Sequence, residues 1–190
     1  MNRRAYLALV HHPTLDRTGK VVTTAITTLD MHDLARLART YGLGGVFIQT
    51  NLPAQAKLAG RLLGHWVEGF GSEYNPHRRE ALEGLSLVES IGEAVEKVAE
   101  ACGGRPRVLA TSARDEVGLR VDFGEARRAF LADERPLLVL FGTGWGLAPE
   151  ALSLCDGIIE PIGAPSGYNH LSVRSAASII VDRLFGQYSV

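Results

Sequence analysis

At 190 residues, with 46% hydrophobic and 22% charged side chains, the sequence has the composition of an ordinary soluble globule. One domain over residues 1–190 is expected, long enough to bury roughly 70% of its unfolded surface. Twenty Lys and Arg against 21 Asp and Glu leave a net charge of −1, which excludes a global field that draws nucleic acid.

The opening Met1-Asn2-Arg3-Arg4 is basic, but the apolar run over residues 6–10 is too short for a secretory segment. No run approaches the ~18 apolar residues needed to cross a bilayer. The expectation is a cytoplasmic protein without a membrane partner. Cys102 and Cys155 lack C-x-x-C spacing and read as buried thiols, and His11-His12 has no third ligand at metal spacing, so no metal is expected.

In chain order, residues 5–10 read as a buried strand, and residues 14–28 as a hairpin-like excursion around the turn Asp16-Arg17-Thr18-Gly19. Asp30 is placed as the cap of a helix whose Met31, Leu34, Ala35, Ala38 and Tyr41 face the sheet, with Gly42 as its stop. A strand at residues 45–48 and a helix at 53–66 follow, the latter with Ala56, Ala59, Leu62 and Leu63 inward. Residues 69–76 read as an irregular loop. A polar helix at 76–82, a short strand at 85–88 and a helix at 90–102 capped by Ser90 come next. Then follow a strand at 108–110 ending in Thr111-Ser112-Ala113-Arg114, an amphipathic helix at 123–131 and a strand at 137–141. Pro149 opens a short helix, Gly157-Ile158-Ile159 is a strand, and a final helix begins near Asn169 as its cap. Alternating strands and helices argue for an α/β fold with a mainly parallel sheet flanked by helices.

Two strand ends release Gly-rich loops: Gly142-Thr143-Gly144-Trp145-Gly146, and residues 160–167 with Glu160, Pro161, Ile162, Gly163 and Ala164. In open α/β sheets the crevice beyond the carboxyl ends of the strands is where ligands bind. The glycines give G-x-G-x-G, not the dinucleotide G-x-G-x-x-G, and no P-loop is present, which weighs against NAD enzymes and P-loop ATPases. His32, Arg36 and Arg39 share a helix face away from the apolar stripe. Arg114, at a strand end beside the loops, suits a phosphate or carboxylate contact. His65-Trp66 and Tyr74-Asn75-Pro76-His77-Arg78-Arg79 mix aromatic and basic residues in a pattern shared by a charged loop with one packed aromatic, the commoner case, and by an RNA-facing loop. In the last helix Val173, Ala176, Ala177, Ile180 and Leu184 form one stripe while Ile179 and Phe185 lie elsewhere, the pattern of a helix covered on two sides.

The paired loops and their close, Tyr168-Asn169-His170-Leu171-Ser172, resemble the cofactor motifs of the SPOUT (α/β-knot) S-adenosylmethionine (SAM)-dependent RNA methyltransferases. More narrowly, the match resembles the SAM-dependent RNA methyltransferase family related to tRNA (guanine-N1)-methyltransferase. The resemblance covers nearly the whole chain and is strongest from Leu137 onward. It implies a C-terminal deep trefoil knot, a homodimer, SAM as cofactor and an RNA substrate, either tRNA or rRNA. The cofactor residues it implies are Thr111, Ser112, Leu140, Phe141, Gly142, Thr143, Gly144, Gly146, Ile159, Glu160, Pro161, Ile162, Gly163, Tyr168, Asn169, His170, Leu171 and Ser172. Residues 30–48 are similar to the first motif of ribose-methylating members, whose arginine is assigned to catalysis, which implies Arg36. Those members carry Asn-x-Gly where this chain has Asp30-Met31-His32. Arg114 and His170 complete the catalytic candidates, with His32, His170 or an arginine as the group that removes a proton. Two rival readings are a non-catalytic SAM- and RNA-binding accessory module and an unknotted doubly wound nucleotide-binding domain.

Overall fold

Short apolar runs that are buried on both faces can only be strands of a sheet covered by helices on both sides, and the chain supplies them at intervals. The computed structural model describes residues 3–114, 118–163 and 165–187; Met1, Asn2 and Ala164, named above, lie outside them. The elements are β1 (Ala5–Val10), β2 (Thr14–Leu15), β3 (Val21–Val22), α1 (Thr28–Thr40), β4 (Gly45–Gln49), α2 (Pro53–Val67), α3 (Phe70–Tyr74), α4 (Pro76–Leu82) and β5 (Leu85–Val88). The second half runs α5 (Ile91–Cys102), β6 (Arg107–Thr111), β7 (Arg120–Val121), α6 (Phe123–Ala132), β8 (Leu137–Gly142), α7 (Pro149–Leu152), β9 (Gly157–Ile159) and α8 (Val173–Phe185).

Seven strands form one sheet in the order β5-β4-β1-β8-β6-β9-β7, and every neighbouring pair is parallel. The short β2–β3 ribbon stands apart and is antiparallel. The strand order reverses where the chain, having built β1, β4 and β5 outward, crosses to β6 and later inserts β8 between β1 and β6. Val139 is in register with Leu7 on one side and Leu109 on the other.

The period of two along each strand sorts side chains into two cores. Leu7, Leu9, Leu109, Val139 and Phe141 pack with Met31, Leu34, Ala126, Phe130, Ile180 and Leu184, so α1, α2, α4, α6 and α8 cover that face. Ala8, Val10, Ala110, Leu138 and Leu140 pack with Ile91, Ala94, Val98 and Ala151, so α5 and α7 cover the other. Buried Gln49 pins three carboxyl ends together. Its Oε1 accepts from the His11 and His12 amides (3.2 and 2.9 Å), and its Nε2 donates to the Glu89 carbonyl (2.8 Å).

Several boundaries differ from the sequence expectation. Thr27, not Asp30, caps α1, its hydroxyl accepting from the Asp30 amide (3.2 Å); Asp30 sits inside the first turn and turns toward α8. Ser172, not Asn169, caps α8 by accepting from the Ser175 amide (3.3 Å), because the Asn169 amide group is engaged with the Ala113 carbonyl. Residues 70–74, read as irregular loop, form the short helix α3. Its Gly71 lies so near Trp66 that a Cβ there would come within 2.7 Å of the indole. The edge strand β7 was not anticipated. Phe185 is buried edge-on against Phe130 of α6 (5.2 Å), so its apolar side is covered within the chain.

Leu138 is fully buried in the second core. Leu138→Ala is expected to lower unfolding free energy by about 2–5 kcal/mol, read as a lower urea midpoint with an unchanged slope.

Candidate functional site

Strands β8, β6 and β9 are neighbours, so the loops that leave their carboxyl ends emerge side by side. Three side chains then tie these loops. Thr111 Oγ1 donates to the Leu140 carbonyl (3.0 Å), joining the ends of β6 and β8. Arg114 Nη2 donates to the Trp145 carbonyl, joining the β6 loop to the glycine loop. Asn169 Nδ2 donates to the Ala113 carbonyl (3.0 Å), drawing in the segment before α8.

The glycine loop itself is braced from below. Trp145 N–H donates to the Leu15 carbonyl and Leu15 N–H to the Gly146 carbonyl, both at 2.9 Å, so the β2–β3 excursion serves as its shelf. A Cβ at Gly142 would stand 2.8 Å from the Leu147 amide nitrogen, and Gly146 has φ of +102°. Only glycine meets both conditions without strain.

Under the loop lies a hydrogen-bonded chain that fixes a histidine tautomer. Thr143 Oγ1 donates to the Val10 carbonyl (3.0 Å), so toward Thr24 it can only accept. Thr24 therefore gives its proton to Thr143 and accepts from His11 Nδ1 at 2.9 Å. Neutral His11 thus carries its proton on Nδ1. Its Nε2 keeps a bare lone pair, buried and without a hydrogen-bond partner among the described residues. Burial pushes the His11 pKa down to about 4, against the opposing pull of Asp30.

Asp30 is also the link between α1 and α8. Arg174, one residue inside α8, reaches Asp30 Oδ1 with Nε (3.3 Å) and Asp33 Oδ2 with Nη1 (3.5 Å). The first turn of the helix carrying Arg36 is thereby fastened to the segment that follows Tyr168 to Ser172.

The expected site residues fall into groups. Leu140, Phe141 and Ile159 are buried in the cores, leaving their backbone at the strand ends. Thr111, Ser112, Gly142 and Thr143 are half-buried around the loop bases, and Gly144 and Arg114 are exposed. Glu160 Oε1 accepts from the Phe123 amide (3.1 Å), so one carboxylate oxygen serves the start of α6. Pro161 and Ile162 are half-buried and Gly163 exposed. Tyr168 and His170 stack edge to face at 5.1 Å on the surface, beside exposed Leu171 and Ser172 and half-buried Asn169. Arg36 is exposed on α1, and its guanidinium has no hydrogen bond or ion pair among the described residues. The structure does not place its side chain in contact with the loops.

His32, on the face away from the apolar stripe, is nevertheless half-buried. It packs edge-on against Trp66 at 5.4 Å, and burial first, then the Arg78 charge, lowers its pKa. Arg39 pairs with Glu80 on α4. The residues that sequence reasoning missed are His11, Thr24 and the Asp30–Arg174 pair. The available signal was a histidine directly continuing a buried strand. Among the described residues no cluster of three His, Cys, Asp or Glu is placed to hold a metal, and no helix is long and apolar enough to cross a membrane. A cavity of about 620 Å³ lined by Arg3, Tyr6, Gly44 and Cys102 opens at the amino ends of the strands, on the opposite edge of the sheet.

The His11 environment fixes a pH dependence. The unfolded chain binds a proton at His11 below the ordinary value of 6.5, whereas the folded chain resists it down to about 4. Stability from this group is therefore full above pH 6.5, falls as pH drops toward 4, and then levels, a loss of about 3 kcal/mol. His11→Asn is expected to flatten that part of the urea-measured pH profile.

Residues 4–186 match the model of a family described as SAM-dependent RNA methyltransferase. A tRNA (guanine-N(1)-)-methyltransferase of Oleidesulfovibrio alaskensis is 46% identical over 184 residues, 97% of this chain but 42% of that protein. The chain thus spans less than half the length of that relative. Among solved structures, TrmJ from Z. mobilis ZM4 matches with a TM-score of 0.63 at 16% identity, over 97% of this chain and 69% of that one. The SpoU methyltransferase AviRb from Streptomyces viridochromogenes, in complex with the cofactor AdoMet, gives 0.53 at 18% identity, over 95% and 58%. At these identities the structural likeness speaks for the fold, and the sequence match speaks for more: this chain belongs to the SAM-dependent RNA methyltransferase family.

Proposed function

We propose that this chain binds SAM in the crevice formed by the β6, β8 and β9 loops and transfers its methyl group to RNA, with tRNA favoured over rRNA. The observation that carries the reading is the cross-linking of three strand-end loops by Thr111, Arg114 and Asn169. The names of the sequence relatives favour tRNA.

The residues present fit the cofactor. Exposed Tyr168 and Leu171 and half-buried Ile162 offer apolar and aromatic surface for an adenine ring, while Thr111, Ser112, Asn169 and the backbone at Leu140, Phe141, Gly142, Thr143, Gly144, Gly146, Ile159, Glu160, Pro161 and Gly163 offer polar edges. His170 and Ser172 close the ring of contacts. Bound SAM supplies a methyl group on a sulfonium, a strong electrophile. The chain supplies position and charge. Arg36 neutralises a phosphate or orients the RNA acceptor, and Arg114 holds the glycine loop and faces an anionic group. His170, exposed beside Tyr168, takes the proton that the nucleophile releases.

The reading includes a C-terminal trefoil knot and a homodimer. The insertion of β8 between β1 and β6, with β9 beyond, and the likeness to SpoU-type folds support the knot. Exposed Tyr168, Leu171, Ser175 and Ser178 with half-buried Ile179 leave one side of the α8 region available to a second copy. A cytoplasmic location follows from the RNA substrate.

Arg36→Ala is expected to lower methyl transfer from labelled SAM into total tRNA by about 100-fold or more, with SAM affinity by calorimetry held within about twofold. Equal loss in both would place Arg36 in cofactor binding instead, and no transfer by the wild type would favour the accessory-module reading. Light scattering at micromolar concentration is expected to return twice the chain mass; a monomer at that concentration counts against the dimer.

A further inference from the structure

One surface outside the loop crevice gathers aromatic rings and cations from three helices. Phe70 and Tyr74 of α3 stack nearly parallel, with centroids 6.2 Å apart and planes at 23°, yet they are 72% and 75% exposed. Two large rings stacked on one another and left open by the described residues present flat apolar faces. Beside them Trp66 lies under the Arg78 guanidinium (4.5 Å to the ring centroid) and is flanked edge-on by His65 (5.3 Å) and His32 (5.4 Å). Gly71 brings α3 directly onto the Trp66 indole.

The charge on this surface favours an anion. Lys57, Arg61 and His65 follow each other at a spacing of four on the exposed face of α2, and neither Lys57 nor Arg61 holds an ion pair among the described residues. Arg78 adds a third cation, while Arg79 is neutralised by Glu83 at 2.8 Å. Glu68 and Glu73 sit at the end of α2 and on α3, while Glu80 and Glu83 are paired with Arg39 and Arg79, so the cations form a stripe rather than a field. A two-fold contact between copies through this surface would pair two identical patches, in each of which Lys57, Arg61 and Arg78 outnumber Glu68 and Glu73, which disfavours a second copy as its occupant. Flat aromatic and guanidinium faces beside cations suit unpaired nucleotides, whose bases stack on such faces while their phosphates meet the charges. A double helix keeps its bases stacked inside and cannot use the rings.

We propose that Phe70, Tyr74 and the Arg78-covered Trp66, with the Lys57–Arg61 stripe, form a stacking platform for single-stranded RNA. His32 joins it to the chemistry, since Arg36 stands one helical turn further along α1. Resting on the RNA methyltransferase reading, the platform holds unpaired nucleotides that flank the one to be methylated.

The test is direct binding of a fluorescent oligouridylate to the full chain, followed by anisotropy. The Phe70→Ala/Tyr74→Ala double variant is expected to bind about tenfold or more weakly, with unchanged circular dichroism and SAM affinity. Tyr74→Phe keeps the ring and is expected to bind as the wild type does. Arg61→Gln is expected to reduce the slope of log affinity against log salt by about one. Wild-type affinity in the double variant overturns the proposal. So does a double variant that becomes monomeric while its RNA affinity stays the same, which would assign the rings to a subunit contact. If the wild type methylates no RNA but the oligonucleotide results hold, the platform stands and the methyl-transfer reading falls.

Discussion

The structure depends on one constraint: β8 is hydrogen-bonded along both edges and buried on both faces. A strand held in that way cannot shift register without unpairing both β1 and β6 and turning one core inside out. Its carboxyl end is therefore firmly located in the sheet, and the glycine loop begins there. The loop after β6 is then fastened to that fixed loop by Arg114, and the segment after β9 to the β6 loop by Asn169, so the crevice takes its shape from the sheet and not from loop stiffness.

The same constraint explains the polar chain beneath the loop. Val10 ends β1 beside Gly142, and its carbonyl would be left without a partner where the strands part. Thr143 meets it, Thr24 meets Thr143, and His11 meets Thr24, each satisfying the group before it. Only the last atom, His11 Nε2, is left over. The cost of burying it is the reason the imidazole resists protonation.

Much of this architecture was legible in the sequence. The strands read clearly because apolar runs covered on both faces have no polar alternation to confuse them. Helices α1 and α5 read clearly because their buried residues recur at helical spacing and a hydroxyl or glycine marks an end. Strand β7 was invisible, since two residues paired only to β9 carry no period. Asn169 and Ser172 are both good caps three residues apart, and the choice was made by a carbonyl in another loop, at Ala113. Helix α3 forms because Gly71 seats on Trp66, a contact that a run of Gly, Ser and Asn does not announce. Among the candidate site residues, the glycines and the arginine on α1 stand out by residue type and spacing. His11 does not, because its meaning lies in hydroxyls 13 residues away and a further 119 beyond those.

Arg174 grips two carboxylates of unequal shelter. Asp30 is 8% exposed and braced by the Thr27 hydroxyl at 2.6 Å, whereas Asp33 is open to solvent. Water and salt weaken the outer contact and largely spare the inner one. Helices α1 and α8 are consequently clamped near both ends of α1, by the sheltered Asp30–Arg174 pair and by the Tyr41 hydroxyl, which donates to Asp182 Oδ1 at 2.7 Å. The sheltered clamp sits at Asp30, less than two helical turns before Arg36, so the start of the helix that carries this guanidinium keeps its place when salt or water loosens the outer contact.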